Sequence, residues 1–277
     1  MMGSHGRIAL CAIGRMENRY AREFVEHYLR LGFDKIIICD NNFGDEEHFE
    51  EVLDDYIAYG FVDIIDYRDQ LVAQKKSYNE CYERYGKDYD WMAFFDFDEF
   101  LTICSGEDIH SFMQRYEGAE CLVINYMIYT DNNLVRYDRR LLAERFTEPM
   151  PINRCVTYSF PENRHVKSII RCGIKGLRFR RNPHVPSEPI INCVMTDGTR
   201  CKQRPFQDID HSIAYLKHYT TKTIEEWMTC KVRRGFPCSP RLIKEWRARH
   251  LTQFFTINEW TREKEHIVEL YAGHARP

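Results

Sequence analysis

Apolar and polar positions along the chain first alternate between two regimes. Residues 8–13 (IALCAI) are continuously apolar and read as a buried strand. Residues 17–31 then read as a helix, with Tyr20, Phe24, Tyr28 and Leu31 at helical spacing and Gly32 placed to end it. Strands follow at 35–39 (KIIIC), 61–65 (FVDII), 91–97 (WMAFFDF) and 120–129 (ECLVINYMIY), with helices expected at 46–59 and 70–85. Strands alternating with helices of this length indicate βαβ units. Runs that are apolar throughout, rather than every second residue, suit strands covered on both faces of a mostly parallel sheet.

After about residue 134 the pattern breaks up. Gly, Pro and Arg are frequent between 149 and 206, with short strand-like pieces (VKSIIRC, INCVMT), and helices return at 222–234, 240–253 and 257–271. The expected organisation is one α/β domain over 1–277. It divides into a first half at about 8–133, an irregular half at about 134–235 and a helical end at about 236–277.

Charge and composition narrow the function classes. The 277 residues carry 39 basic and 42 acidic side chains, a net charge of −3. No global positive field exists to gather nucleic acid. No apolar run reaches the roughly 18 residues of a membrane span, and the N-terminus is short of a signal peptide. The expected location is therefore cytoplasmic. The tract Lys231 to Arg249, with Arg233, Arg234, Arg241, Lys244 and Arg247, reads first as a solvated helical face and second as a peripheral membrane contact. The 11 cysteines form no CxxC pair, which argues against a zinc knuckle and for a reducing compartment.

The strongest chemical signal is Asp96-Phe97-Asp98-Glu99-Phe100, directly after an apolar strand. Ligands of open α/β sheets sit at the carboxyl ends of strands. Carboxylates spaced i, i+2 on an extended segment point the same way and repel unless paired. A divalent cation bridging them to a diphosphate would remove that repulsion, and Mn2+ or Mg2+ favours oxygen ligands.

A series of segments in order then resembles the GT-A glycosyltransferases, specifically the glycosyltransferase family 2 and family 92-like group. They are Met16-Glu17-Asn18 through Leu31-Gly32, Cys39-Asp40-Asn41, Gln74 with Tyr78-Asn79-Glu80-Cys81, Asp90 to Phe100, His218-Tyr219 with Lys222-Thr223 and Glu226, and Arg234-Gly235. The resemblance implies a GT-A (Rossmann-like) nucleotide-diphospho-sugar transferase fold. It also implies transfer from a UDP-sugar, galactose being one candidate, to a carbohydrate or glycolipid acceptor of a surface glycan or lipopolysaccharide.

Within that frame Asp98 is the first choice for a direct metal ligand. Asp96 serves the metal or the donor's ribose, and His218 is a further ligand implied by the resemblance. Cys11, Ala12 and Ile13 would offer backbone contacts to the nucleoside, and Glu17 and Asp40 hydrogen-bond acceptors. Glu17 can equally be a helix N-terminal acid, and Asp40 a turn cap. Gln74, Lys75, Asn79 and Lys222 would face sugar or phosphates, although the α-helical positions also suit an exposed polar face. An inverting reaction needs a base. Glu144 and Asp131 are the candidates, Glu144 for its apolar neighbours Leu141 and Leu142, and Asp131 for its loop after the fifth strand. A salt bridge to Arg139, Arg140 or Arg145 is the competing role for Glu144. Other readings are a nucleotidyltransferase or phosphotransferase using the same carboxylates, or a carbohydrate- or nucleotide-binding module without turnover. The lack of a GxxxxGK[ST] loop weighs against a P-loop enzyme.

Overall fold

The computed structural model describes residues 6–232 and 251–272. Its elements begin with β1 (Ile8–Gly14), α1 (Asn18–Arg30), β2 (Lys35–Asp40), α2 (Glu50–Ala58), β3 (Val62–Asp66), α3 (Gln74–Tyr85) and β4 (Trp91–Phe94). These are the βαβ units expected from the apolar runs. Strands β3, β2, β1 and β4 lie side by side in that order, each pair parallel.

Helix α1 shows why the pattern was readable. Tyr20, Phe24 and Tyr28 form its buried stripe, and each such aromatic contributes about 1.5–3 kcal/mol by leaving water. The helix stops where Gly32 takes a left-handed φ of 96°, which a residue without Cβ adopts freely. Helices α2 and α3 start later than expected, because residues 41–49 form a loop, and Asp69 and Val72 turn left-handed (φ 59° and 56°) before α3.

Beyond β4 the sheet changes character. The elements are β5 (Glu99–Ile103), α4 (Ile109–Gln114), β6 (Cys121–Ile128), α5 (Leu142–Arg145), β7 (Val166–Arg171), β8 (Cys193–Val194) and β9 (Ala214–His218). Strand β7 is antiparallel to both β4 and β6. The path continues β7-β6-β9-β5, with β8 against β6. The sheet is thus parallel on one side and mixed on the other. The expected strand 91–97 is corrected: β4 ends at Phe94, and residues 95–98 form a turn into β5. The helical end consists of α6 (Ile224–Glu226), continuing as a π-helical turn at Trp227–Val232, then α7 at 251–257 and α8 (Arg262–Ala272).

Contacts divide the chain into two compact units, each made of two separated stretches: 1–126 with 164–217, and 127–163 with 218–277. The first unit's core contains Ala9, Cys11, Ile37, Tyr78, Cys81, Met92 and Phe94 under β7 and β6 residues such as Ile170 and Val123. The second unit has its own cluster around Trp227, Met228, Phe254 and Ile267. No helix among the described residues is long and apolar enough to cross a membrane. Of the basic tract, Arg233 to Arg249 lies outside the described residues, as does the Arg234-Gly235 pair.

Candidate active site

The acidic segment sits where β4 leaves the parallel half of the sheet, and its backbone is closed by its own side chains. The Asp96 N–H donates to Glu99 Oε2 (2.9 Å), and the Glu99 N–H donates back to the Asp96 carbonyl (3.0 Å). Between them Phe97 points into the aromatic core. It stacks on Phe49 (5.1 Å between centroids, 10° between planes) and leans on Phe24 at 4.6 Å. Gly14 at the end of β1 makes room: a Cβ there would lie 2.6 Å from both the Phe49 and Phe97 rings. Tyr28 of α1 fixes the far side, donating to the Glu99 carbonyl at 2.7 Å and accepting from the Leu101 N–H.

Asp96 and Asp98 therefore lie on a turn rather than on an extended strand, which corrects the i, i+2 argument. Their mutual repulsion also has an answer that the motif does not contain. Lys167, fully buried on β7, places Nζ 2.8 Å from Asp96 Oδ2 and 3.5 Å from Glu99 Oε2. Asp96 Oδ1 accepts from Gln74 Nε2 (2.8 Å) and from the Tyr78 hydroxyl (2.9 Å). Burial resists ionisation of Asp96, but the Lys167 charge and these hydrogen bonds outweigh it and hold the carboxyl below the usual range. Burial likewise opposes the charge on Lys167, and Asp96 and Glu99 restore it, so its ammonium is held above the usual range.

Glu99 is fully buried and accepts the Tyr126 hydroxyl at 2.6 Å. Behind it His184 Nδ1 lies 3.3 Å from that hydroxyl and 3.1 Å from the Val166 carbonyl. Burial, followed by the Lys167 charge, pushes His184 down to about 3. A neutral His184 donating through Nδ1 lets Tyr126 give its own proton to Glu99. The buried side of the turn is thus a connected polar network.

Asp98 is 8% exposed, and its carboxylate has an oxygen within 4.8 Å of one on Glu99. These residues fit a hard divalent cation. The donors are carboxylate oxygens, the ligand type that such an ion prefers.

The other sequence-assigned residues divide sharply. Gln74 donates to Asp96. The Asn79 amide pairs with the backbone of Phe179, accepting from the N–H at 2.8 Å and donating to the carbonyl at 3.4 Å. Lys75 donates to the Arg180 carbonyl. Asp40 caps its own turn, accepting from the N–H and amide of Asn42 while Arg68 pairs with its second oxygen at 2.9 Å. Glu17 occupies the N-cap position of α1, without a capping side-chain bond. The Cys11 carbonyl accepts from the Phe95 N–H, and its thiol is buried. Ala12 and Ile13 run past the end of β4, still in register with β2.

His218, Lys222, Asp131 and Glu144 belong to the second unit. His218 ends β9 and its carbonyl accepts from the Tyr129 N–H. Lys222 is mostly buried in a left-handed turn of φ 54°. Both base candidates have partners in this structure. Asp131 is sealed in an ion pair with Lys264 at 2.6 Å, with side chains 2% and 0% exposed. Burial pushes its carboxyl above the usual range, and Lys264 pulls it back only in part. Glu144 is exposed and reaches back to the Leu141 N–H, closing the first turn of α5. Its neighbour Arg145 pairs with Glu226 instead, through two contacts of 2.8 and 3.0 Å in a fully buried position.

Sequence reasoning missed Lys167. A signal was present: a lysine in the middle of an otherwise apolar strand, VKSIIR, must find a carboxylate if it is buried.

Comparison with known proteins bears on the stretch that carries this turn. The family model of glycosyltransferase family 92 matches residues 11–171, more than half of the chain. The chain belongs to glycosyltransferase family 92. A galactan β-1,4-galactosyltransferase of Arabidopsis thaliana is 31% identical over 121 residues, 41% of this chain and 24% of the relative. A family 92 protein of Oryza sativa subsp. japonica is 25% identical over 111 residues, 39% of this chain and 18% of the relative. The chain thus spans about a quarter or less of the curated relatives it matches. Among solved structures, the 1–349 fragment of S. aureus TarS matches at 9% identity with a TM-score of 0.41, over 96% of this chain and 79% of the fragment. Its complex with UDP-GlcNAc matches at a TM-score of 0.39, over 97% and 80%. The α/β architecture of this family 92 chain, with helices flanking a many-stranded sheet, is of the class expected from its sequence.

Proposed function

We propose that this family 92 chain transfers a sugar from a UDP-sugar to a carbohydrate acceptor, with inversion, and with Mn2+ or Mg2+ held at Asp98. The observation that carries the reading is the acidic turn 96–99. It follows the last strand of the parallel half of the sheet inside the family-matched stretch, and its Asp96 and Glu99 share one buried lysine. Galactose is the first donor sugar to try, because an Arabidopsis relative is named a galactosyltransferase. The acceptor is proposed as a polysaccharide or glycolipid.

Each assigned group has a task. Asp98 would hold the ion, with His218 as a further ligand on the strength of the resemblance. Asp96, Gln74 and Tyr78 keep the turn in place. Ala12 and Ile13 offer backbone to the nucleoside where β1 outruns β4, and Lys222 would meet the diphosphate. When bound, the ion would offset the charge that develops as the nucleoside diphosphate departs.

The test is a donor screen on the full chain. UDP-galactose, UDP-glucose and UDP-GlcNAc are each incubated with Mn2+ or with chelator, and UDP release and new glycoside are measured. Metal-dependent UDP release, fastest from UDP-galactose, is expected. No release from any donor sinks the transferase reading; equal release under chelation sinks the metal part alone.

A further inference from the structure

We propose that Lys167 is a positioning residue that acts as a built-in countercharge. It removes Asp96 from the ligand set, clamps the acidic turn, and sets how tightly the turn holds its metal. The inference rests on the metal reading above and deepens it.

Three observations converge. Lys167 is fully buried, and its Nζ lies 2.8 Å from Asp96 and 3.5 Å from Glu99, so one ammonium ties both ends of the turn to β7. Every oxygen of these two acids already has a partner: Gln74 and Tyr78 on Asp96 Oδ1, Lys167 on Oδ2, the Asp96 N–H on Glu99 Oε2, and Tyr126 on Oε1. The side chain between them, Phe97, is wedged in the aromatic core, so the turn cannot rotate to present Asp96 instead of Asp98.

An ion at Asp98 would therefore feel Asp96 and Lys167 together as a nearly neutral pair. Removing the negative member alone leaves a buried ammonium that repels a cation, and removing both restores the original balance. A lysine that only filled space or held the fold would show no such recovery, because taking it away would add damage to damage.

The experiment is a pair of variants compared with wild type by Mn2+ titration calorimetry, without donor or acceptor. D96N should weaken Mn2+ binding by about 10-fold, the effect of roughly 1.4 kcal/mol. D96N/K167M should return it to within about 3-fold of wild type. Both keep side-chain volume nearly constant, and circular dichroism checks the fold. Should D96N/K167M not fold, D96N/K167Q replaces it. Equal Mn2+ affinity in D96N and the double variant, or weaker affinity in the double, overturns the role of Lys167 while leaving the metal site standing. Wild type that binds no Mn2+ overturns both, which separates the two failures.

Discussion

Two buried carboxylate–lysine pairs, one in each unit, look alike in the sequence and differ in structure. Asp96 and Asp131 each sit on a turn shortly after an apolar strand, and each meets a lysine with no exposed side chain, at 2.8 and 2.6 Å. Around Asp131 one lysine meets one carboxylate. The pair is closed, Asn133 donates its N–H, and Lys264 also donates to the Glu259 carbonyl. Around Asp96 one ammonium is shared by two carboxylates, Asp96 and Glu99, and the Asp96 side chain stays 32% exposed. The carboxyl groups respond in opposite directions, Asp131 upward through burial and Asp96 downward as Lys167 overcomes burial. A sealed pair locks a turn; a shared, partly open one holds a turn at the edge of a site.

The sharpest way to break this contrast is at the open end of the acidic turn. D98N should keep its fold and lose about 10²–10³-fold in turnover, the scale of losing one charge-stabilising group. Turnover near wild type in a folded D98N would remove the turn from the chemistry. At the sealed pair the same chemical change should act on stability. D131N strands Lys264 and should cost about 3–5 kcal/mol in denaturant unfolding, whereas D131N/K264M should cost far less. Acceptor KM in folded D131N should match wild type; a raised KM would return Asp131 to the acceptor site.

A further effect separates the units by pH. Burial lowers His27 to about 4 and His184 to about 3, both in the first unit. Their folded values lie below the unfolded 6.5. Their contribution is therefore full above pH 6.5 and declines as pH falls toward 4 and then 3, by about 1.4 kcal/mol per pH unit for each histidine. Unfolding midpoints measured from pH 7 to 4 should fall along this slope, and H27Q should flatten it. The smallest effect belongs to Glu144. E144Q keeps an oxygen for the Leu141 N–H, so stability should change by only a few tenths of a kcal/mol and turnover by less than about 2-fold. A loss of 10²-fold in its kcat would make Glu144 the base after all.

The difference between the pairs was only partly legible in the sequence. Continuous apolar runs placed β1 and β2, because a strand covered on both faces has no polar alternation to confuse it. Strands β5 and β9 went unread. EFLTI begins inside the acidic motif, and AYLKH mixes buried with half-exposed positions. The acidic motif itself was visible, but its partner Lys167 lies some 70 positions on, joined to it by the antiparallel pairing of β7 with β4. The partners of Asp131 and Glu144 were hidden for the same reason. A sequence shows which residues are acidic; which lysine or N–H takes up the charge is settled by tertiary contacts.

The aromatic wedge at Phe97 has a consequence for how such motifs are recognised and rebuilt. The letter between the two aspartates is commonly treated as open, yet here it is the bolt that seats the turn, and its socket is cut by the missing Cβ of Gly14, more than eighty residues earlier in the chain. The signature of this family member is thus better written as a discontinuous word, Gly14 and Phe49 with Phe97, than as two acids and a blank. A redesign that transplants the acids without that distant glycine would carry over the charges and lose the aim.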